Sequence, residues 1–333
     1  MDIKKEIIKN WQLVETDILS KEKKYYRNIF PELNIEIRTC LFGSNLNKSI
    51  EFVFDKKINL SSKFENIKLK GLTVNILEDL ENKEKKFISL KLKNNNLLEI
   101  FLELIESIID EVKLENDKSI IINLIIKKIH VWIKFFKREK FESLSEEEIR
   151  GLMGELLFIK KFSANKDSFK KNIHNWKGCE NGLHDFDFKE IKAEIKTFAK
   201  SGVIHISYAE QLDINKYKEI YLICFNLLKD NGTFSLNELV AEIKSKIDKD
   251  LLLIFQDKLK SYGYFDIHKD EYNEKYKNLK EYYFKVDKEF PKILYKDLHN
   301  AISKVAYKLD TNLLLSFDIG KKKSEEIFLD EKI

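Results

Sequence analysis

Three residue types that can do chemistry together fall within twelve positions. They lie in two short runs, HDFDF (His184 to Phe188) and KAEIKTF (Lys192 to Phe198). Side chains alternate along a strand, so Asp185, Asp187, Glu194 and Lys196 share one face. Phe186, Phe188, Ala193, Ile195 and Thr197 take the other. Only Lys189, Glu190 and Ile191 separate the runs, which predicts an antiparallel hairpin. Two or three carboxylates and one ammonium then meet on one face of a small sheet. Carboxylates this close repel and raise each other's pKa. A divalent cation removes the conflict, and hard oxygen ligands suit magnesium or manganese. A lysine beside such an ion can hold a water or a phosphate oxygen. That is equipment for metal-assisted phosphodiester hydrolysis.

The flanking segments have to position this hairpin. SLSEEE (Ser143 to Glu148) predicts a helix start, with Ser145 as N-cap and Glu148 closing a capping box. The helix runs on through GELLFIKKF (Gly154 to Phe162), and Gly151 and Gly154 would let it approach the sheet closely. Ser163 to Gly182 reads as a loop containing Trp176 and Gly178. Val203 to Ser207 reads as a third strand, followed by a helix through Tyr208 to Leu212. Glu219 to Leu227 is almost continuously apolar, as a strand buried on both faces would be.

The residues from about 141 to 215 resemble the PD-(D/E)XK nuclease superfamily. Asp185 matches the first acid of its motif, and Glu194, Ile195 and Lys196 match the (D/E)XK element. The wider pattern of GLMGELLFI, W-x-G at Trp176 to Gly178, HDFDF, EIK and ISYAEQL resembles a bacterial PD-(D/E)XK family found beside restriction and phage-defence genes. His184 replaces the proline of the name, a position that varies widely in the superfamily. The resemblance implies an α/β fold: a restriction-endonuclease-like mixed sheet flanked by helices. It implies a divalent-metal-dependent DNA endonuclease in restriction or anti-phage defence. Asp185, Glu194 and Glu155 would hold Mg2+, with Mn2+ as substitute, and Lys196 and Gln211 would complete the catalytic set. Glu155 matches the extra helical acid of many members, and Gln211 the polar helper of several branches. DNA is the implied partner, alongside other defence-system subunits, and a homodimer would suit double-strand cutting.

The residues leave other readings open. Asp187 shares the site face and is the alternative ligand, although the motif favours Asp185. Trp176 reads as a packed loop anchor, with base stacking as the alternative. His184 reads as structural or as a substrate contact, and His205 as a half-buried strand residue. A nuclease-like subunit that binds DNA or a partner without cutting is the rival function. RNA as substrate uses the same chemistry.

The 333 residues suffice for two domains. We expect an N-terminal α+β lobe over 1–140 and a nuclease-like domain with a C-terminal extension over 141–333. In the first, residues 1–25 look helical. NIEIRTC (34–40), Ser49 to Phe54, Phe64 to Val74 and Lys86 to Leu92 read as one antiparallel sheet. Asn95 to Val112 and Ser119 to Lys137 read as a helical pair leading into the basic run Lys134 to Lys140. In the second, Ser235 caps one or two helices reaching Lys260. Tyr282 to Val286, Ala306 to Leu309 and Leu313 to Phe317 read as strands, with a charged, fraying end from Lys321.

Charge excludes little: the net charge is only +4, a weak argument for nucleic acid. Cys40, Cys179 and Cys224 are scattered, with neither zinc-site nor disulfide spacing, and read as reduced cytoplasmic thiols. MDIKKEIIKNW lacks a signal-peptide core. The most apolar run, Ile120 to Phe136, is interrupted by Asn, Lys and His and reads as a buried or amphipathic helix rather than a membrane span. GxxxxGK, GxGxxG, HExxH and GxSxG are all missing, which argues against a nucleotide-driven motor, a dinucleotide enzyme, a zinc protease and an α/β-hydrolase.

Overall fold

The computed structural model describes residues 2–16, 24–42, 46–58, 60, 66–69, 71–136, 143–180 and 182–329. The chain divides into two compact units, Met1–Glu142 and Ser143–Ile333. No helix among the described residues is long and apolar enough to cross a membrane.

The first unit is a six-stranded antiparallel sheet with helices. α1 (Ile3–Thr16) precedes β1 (Lys24–Ile29), β2 (Glu36–Phe42), β3 (Asn47–Asp55), β4 (Ile67–Lys68), β5 (Leu72–Glu78) and β6 (Lys85–Leu92). The order across the sheet is β1-β2-β3-β6-β5-β4. The expected N-terminal helix is shorter than 25 residues, because Lys24–Ile29 pairs with β2 instead. The period of two is plain in the register. Ile37, Phe52 and Ile88 line up on one face, all fully buried, and Arg38, Glu51 and Ser89 on the other. α2 (Leu98–Val112) and α3 (Lys118–Phe136) form the expected helical pair. The basic run Lys134 to Lys140 and the start of the Phe64 strand lie outside the described residues and side chains.

The second unit is a mixed α/β body. α4 (Glu146–Lys161) begins at the expected capping box: the Ser145 side chain accepts from Glu148 N, and Glu148 answers to Ser145 N. α5 (Lys166–Asn175) follows, within a stretch that reads as loop in the sequence. Its box is Asn165 with Ser168, a less conspicuous pair, and its buried face is Ser168, Phe169, Asn172 and Ile173. Then come β7 (Phe186–Phe188), β8 (Ile191–Phe198), β9 (Val203–Ile206) and β10 (Glu219–Phe234). α6 (Leu236–Lys246), α7 (Lys249–Tyr262), β11 (Tyr276–Val286), β12 (Tyr307–Asp310) and α8 (Gly320–Phe328) complete it.

The main sheet has the order β11-β10-β8-β7. β8 and β10 run parallel and the other pairs antiparallel. β10 is buried on both faces as its composition requires. Tyr221, Ile223 and Phe225 join one core with α4, α6 and α7, and Ile220, Leu222 and Cys224 join a second. Three expectations fail here. β9 leaves this sheet and pairs with β12 in a two-stranded one. Leu313 to Phe317 forms 3-10 turns at Thr311–Leu313 and Leu315–Phe317 rather than a strand. The charged C-terminus forms α8, anchored by fully buried Phe328 against Phe158 and Phe162.

Candidate active site

The hairpin forms as the alternation requires, with Phe186 opposite Ala193 and Asp187 opposite Lys192. Its loop has two residues, not three, because Ile191 already pairs with Phe188. Lys189 adopts a left-handed φ of 63° there. The Asp187 carboxylate, 3.0 Å from Lys189 N, and the Lys192 ammonium on the Lys189 carbonyl hold that strained turn. Asp187 thus pairs with Lys192 at the turn end.

Asp185, just before β7, is pinned from both sides. Its Oδ2 accepts from Ile195 N at 2.7 Å. Its carbonyl accepts from Lys177 N at 2.7 Å and Gly178 N at 3.0 Å. Glu194 on β8 is 1% exposed. Its Oε1 receives Lys196 Nζ at 2.7 Å and Gln211 Nε2 at 2.6 Å, while its buried Oε2 has no well-aligned hydrogen-bond partner among the described residues, although the Asp185 amide lies close enough to pull the Glu194 pKa down. Gln211 sits in a single 3-10 turn, Ala209–Leu212, where a helix reads in the sequence. Its amide is locked: Oε1 accepts from Ser207 N at 3.1 Å and Nε2 also donates to Leu183 O. His184 bonds the Gln211 carbonyl through Nε2 at 2.8 Å. Burial lowers its pKa, so it is a neutral support of that turn. His205 is exposed rather than half-buried.

Glu155 comes in on α4 and is buried. α4 lies tight on the sheet, since a Cβ on Gly154 would come 2.6 Å from Thr197 Cγ2. The Glu155 carboxylate accepts from the Trp176 indole N–H and bonds the Tyr262 hydroxyl. Gly178 separates it from Asp185: a Cβ there would lie 2.5 Å from Glu155 Oε2 and 2.7 Å from Asp185 Oδ1. The structure thus brings together Glu155, Asp185, Glu194, Lys196 and Gln211.

The electrostatics follow from three acids facing one base. Burial, then the Asp185 charge, push Glu155 well above the carboxylate range. Burial raises Asp185 against the pull of Lys196. Burial and Asp185 push Glu194 up to about 8. Burial alone would lower Lys196, but the Glu194 and Asp185 charges outweigh it and hold the ammonium protonated.

Does a cation fit? Among the described residues no three His, Cys, Asp or Glu side chains converge as a ready-made metal set, so the expected Asp185, Glu194 and Glu155 shell is not preformed. Magnesium, however, commonly takes one or two carboxylates and keeps several waters. Asp185 and Glu194, with the orphaned Oε2 of Glu194, suit that smaller demand, and Glu155 stands beside them on its own hydrogen bonds. Cavity size would have pointed elsewhere: a concavity of about 760 Å³ lies on the outer face of the first unit's sheet, around Arg38, Glu51 and Lys91.

Three supports were not read from the sequence: the hydrogen bond of Trp176, and Lys258 and Tyr262 on α7. The W-x-G motif flagged the first only as a packed anchor. The α7 residues carry no local signal, because their contacts span 82 residues for Lys258 to Trp176.

A mixed sheet carrying this acid, acid and lysine cluster, with a helical acid beside it, defines the class of restriction-endonuclease-like PD-(D/E)XK proteins, whose members are usually nucleases. The chain belongs to the DUF4420 family, described as "Putative PD-(D/E)XK family member", whose model matches residues 10–312. No curated protein and no solved structure matches it.

Proposed function

We propose that the chain is a divalent-cation-dependent endonuclease that hydrolyses DNA phosphodiester bonds, acting in the bacterial cytoplasm in restriction or anti-phage defence. The observation that carries this is the buried excess of three carboxyl groups over Lys196, with one Glu194 oxygen lacking a well-aligned partner among the described residues. Burying such a group without compensation is costly, and a cation compensates it. Asp185 and Glu194 would hold Mg2+ or Mn2+. A bound cation supplies Lewis acidity at a phosphodiester oxygen and offsets charge on the phosphorus. Lys196 orients a water for attack or neutralises charge in the transition state. Gln211 fixes the Glu194 carboxylate, and Glu155 stands beside the pair, held by the Trp176 indole. Two copies would cut both strands.

The rival reading is a DNA- or partner-binding subunit without catalysis, which would need no three-ligand set, and none is preformed among the described residues. Plasmid cleavage with magnesium, manganese and chelator separates the two. The nuclease reading predicts nicking or linearisation with either cation and none with chelator. Folded protein that binds DNA and never cuts it would establish the rival.

A further inference from the structure

Trp176 is fully buried at the C-terminal end of α5, its ring 6.1 Å from that of Phe255. It forms an isolated antiparallel bridge with Phe186, the residue after Asp185. Its carbonyl accepts from Lys258 Nζ. Lys258 is itself 7% exposed and also pairs with Glu180 at 2.8 Å. The segment from Trp176 to Gly178 therefore touches both acids on its side of the cluster. The indole N–H reaches Glu155, the amides of Lys177 and Gly178 reach the Asp185 carbonyl, and the missing side chain at 178 leaves the gap between the two carboxylates open.

A buried tryptophan needs an acceptor for its N–H. A backbone carbonyl would satisfy that need. Here the acceptor is a carboxylate in an acid-rich cluster, which makes the bond charge-assisted when that carboxylate is ionised and geometrically selective. Phenylalanine could occupy the ring's place in the core but would leave Glu155 without this donor.

We propose that Trp176 is a positioning residue of the acid cluster: its indole N–H fixes the Glu155 carboxylate beside Asp185, and Lys258 holds the tryptophan in place through its carbonyl. The role rests on reading the cluster as a cation-dependent nuclease site. Partners at this remove from a metal typically matter 10- to 100-fold.

The test uses the full chain with 15N-labelled tryptophan. Trp176→Phe identifies the Trp176 indole resonance by its loss. Glu155→Gln should then move that resonance and leave those of Trp11 and Trp132 in place. In cleavage, Trp176→Phe should lower the rate about 10- to 100-fold and raise the magnesium concentration needed for half-maximal rate. In a Glu155→Ala background, or Glu155→Gln should the alanine variant not fold, the same change should cost nothing further. An indole resonance indifferent to Glu155→Gln overturns the proposal, whether or not the chain cuts DNA. Equal losses with and without Glu155 overturn it too, because a packing role gives that pattern. A folded wild type that cuts nothing refutes the nuclease reading separately, and the resonance then decides the positioning alone.

Discussion

Each unit buries a cluster of charges, and the two clusters are built differently. In the first unit, Arg38 Nη1 meets Asp79 at 2.9 Å and Nη2 meets Glu36 at 2.7 Å, and Lys85 pairs with Glu36 at 2.8 Å. Two acids answer two bases. Burial works against both acids, but Lys85 and Arg38 hold Glu36 below the usual carboxylate range, and the Glu81 amide and Arg38 do the same for Asp79. The second unit sets Glu155, Asp185 and Glu194 against Lys196, and all three carboxyls rise. Where charge balances the carboxyls fall, and where it does not they rise. The hairpin repeats the contrast on a smaller scale. Asp187 has its own lysine at the turn and is lowered, while Asp185, two residues earlier, is raised.

The largest effect should come from removing the unbalanced groups. Asp185→Ala, Glu194→Ala or Lys196→Ala should each cost at least about 10²- to 10³-fold in cation-dependent cleavage, with circular dichroism unchanged. Breaking the balanced cluster should do the opposite. Arg38→Ala leaves the buried Asp79 without its guanidinium partner and should cost about 3–5 kcal/mol in urea unfolding of the first unit, with the cleavage rate per folded molecule unchanged.

The pH dependence sharpens the contrast. Glu194 has its folded pKa raised from 4.5 to about 8. Between those values the folded state binds more protons than the unfolded, so stability falls as pH rises. Metal-free wild type should therefore lose stability relative to Glu194→Gln as pH climbs from 4.5 to 8, by up to about 1.4 kcal/mol per pH unit. Denaturant melts of both proteins at several pH values check it. Glu36 and Asp79, lowered, contribute stability that is lost only as pH falls below the ordinary carboxylate range. The smallest effect belongs to Asp187→Ala. Its pair is half open to solvent and worth about 0–1 kcal/mol, and cleavage should stay within about twofold of wild type.

What the sequence revealed was what short-range physics controls. The hairpin faces, the Ser145 box and the doubly buried β10 all follow from a period of two, a period of 3.6 or a bond across three residues. Gly154 was legible for the same reason, as a small residue on a helix that must lie close to its sheet. The misses are long-range or weakly marked. α5 hid behind an Asn165–Ser168 cap and few apolar residues. β9 has an ordinary strand pattern, and nothing local says that its partner is β12, a hundred residues on. Trp176 could be seen as buried but not as bonded to Glu155, and the contributions of Lys258 and Tyr262 exist only once α7 has docked.

The central claim is that the acid excess around Glu194 is completed by a divalent cation. Calorimetric titration of folded wild type and Glu194→Gln with Mn2+ at pH 8 tests it most directly. The account predicts saturable binding by wild type and loss of most of that affinity in the variant. Identical isotherms for the two proteins, or no binding by wild type, would contradict it.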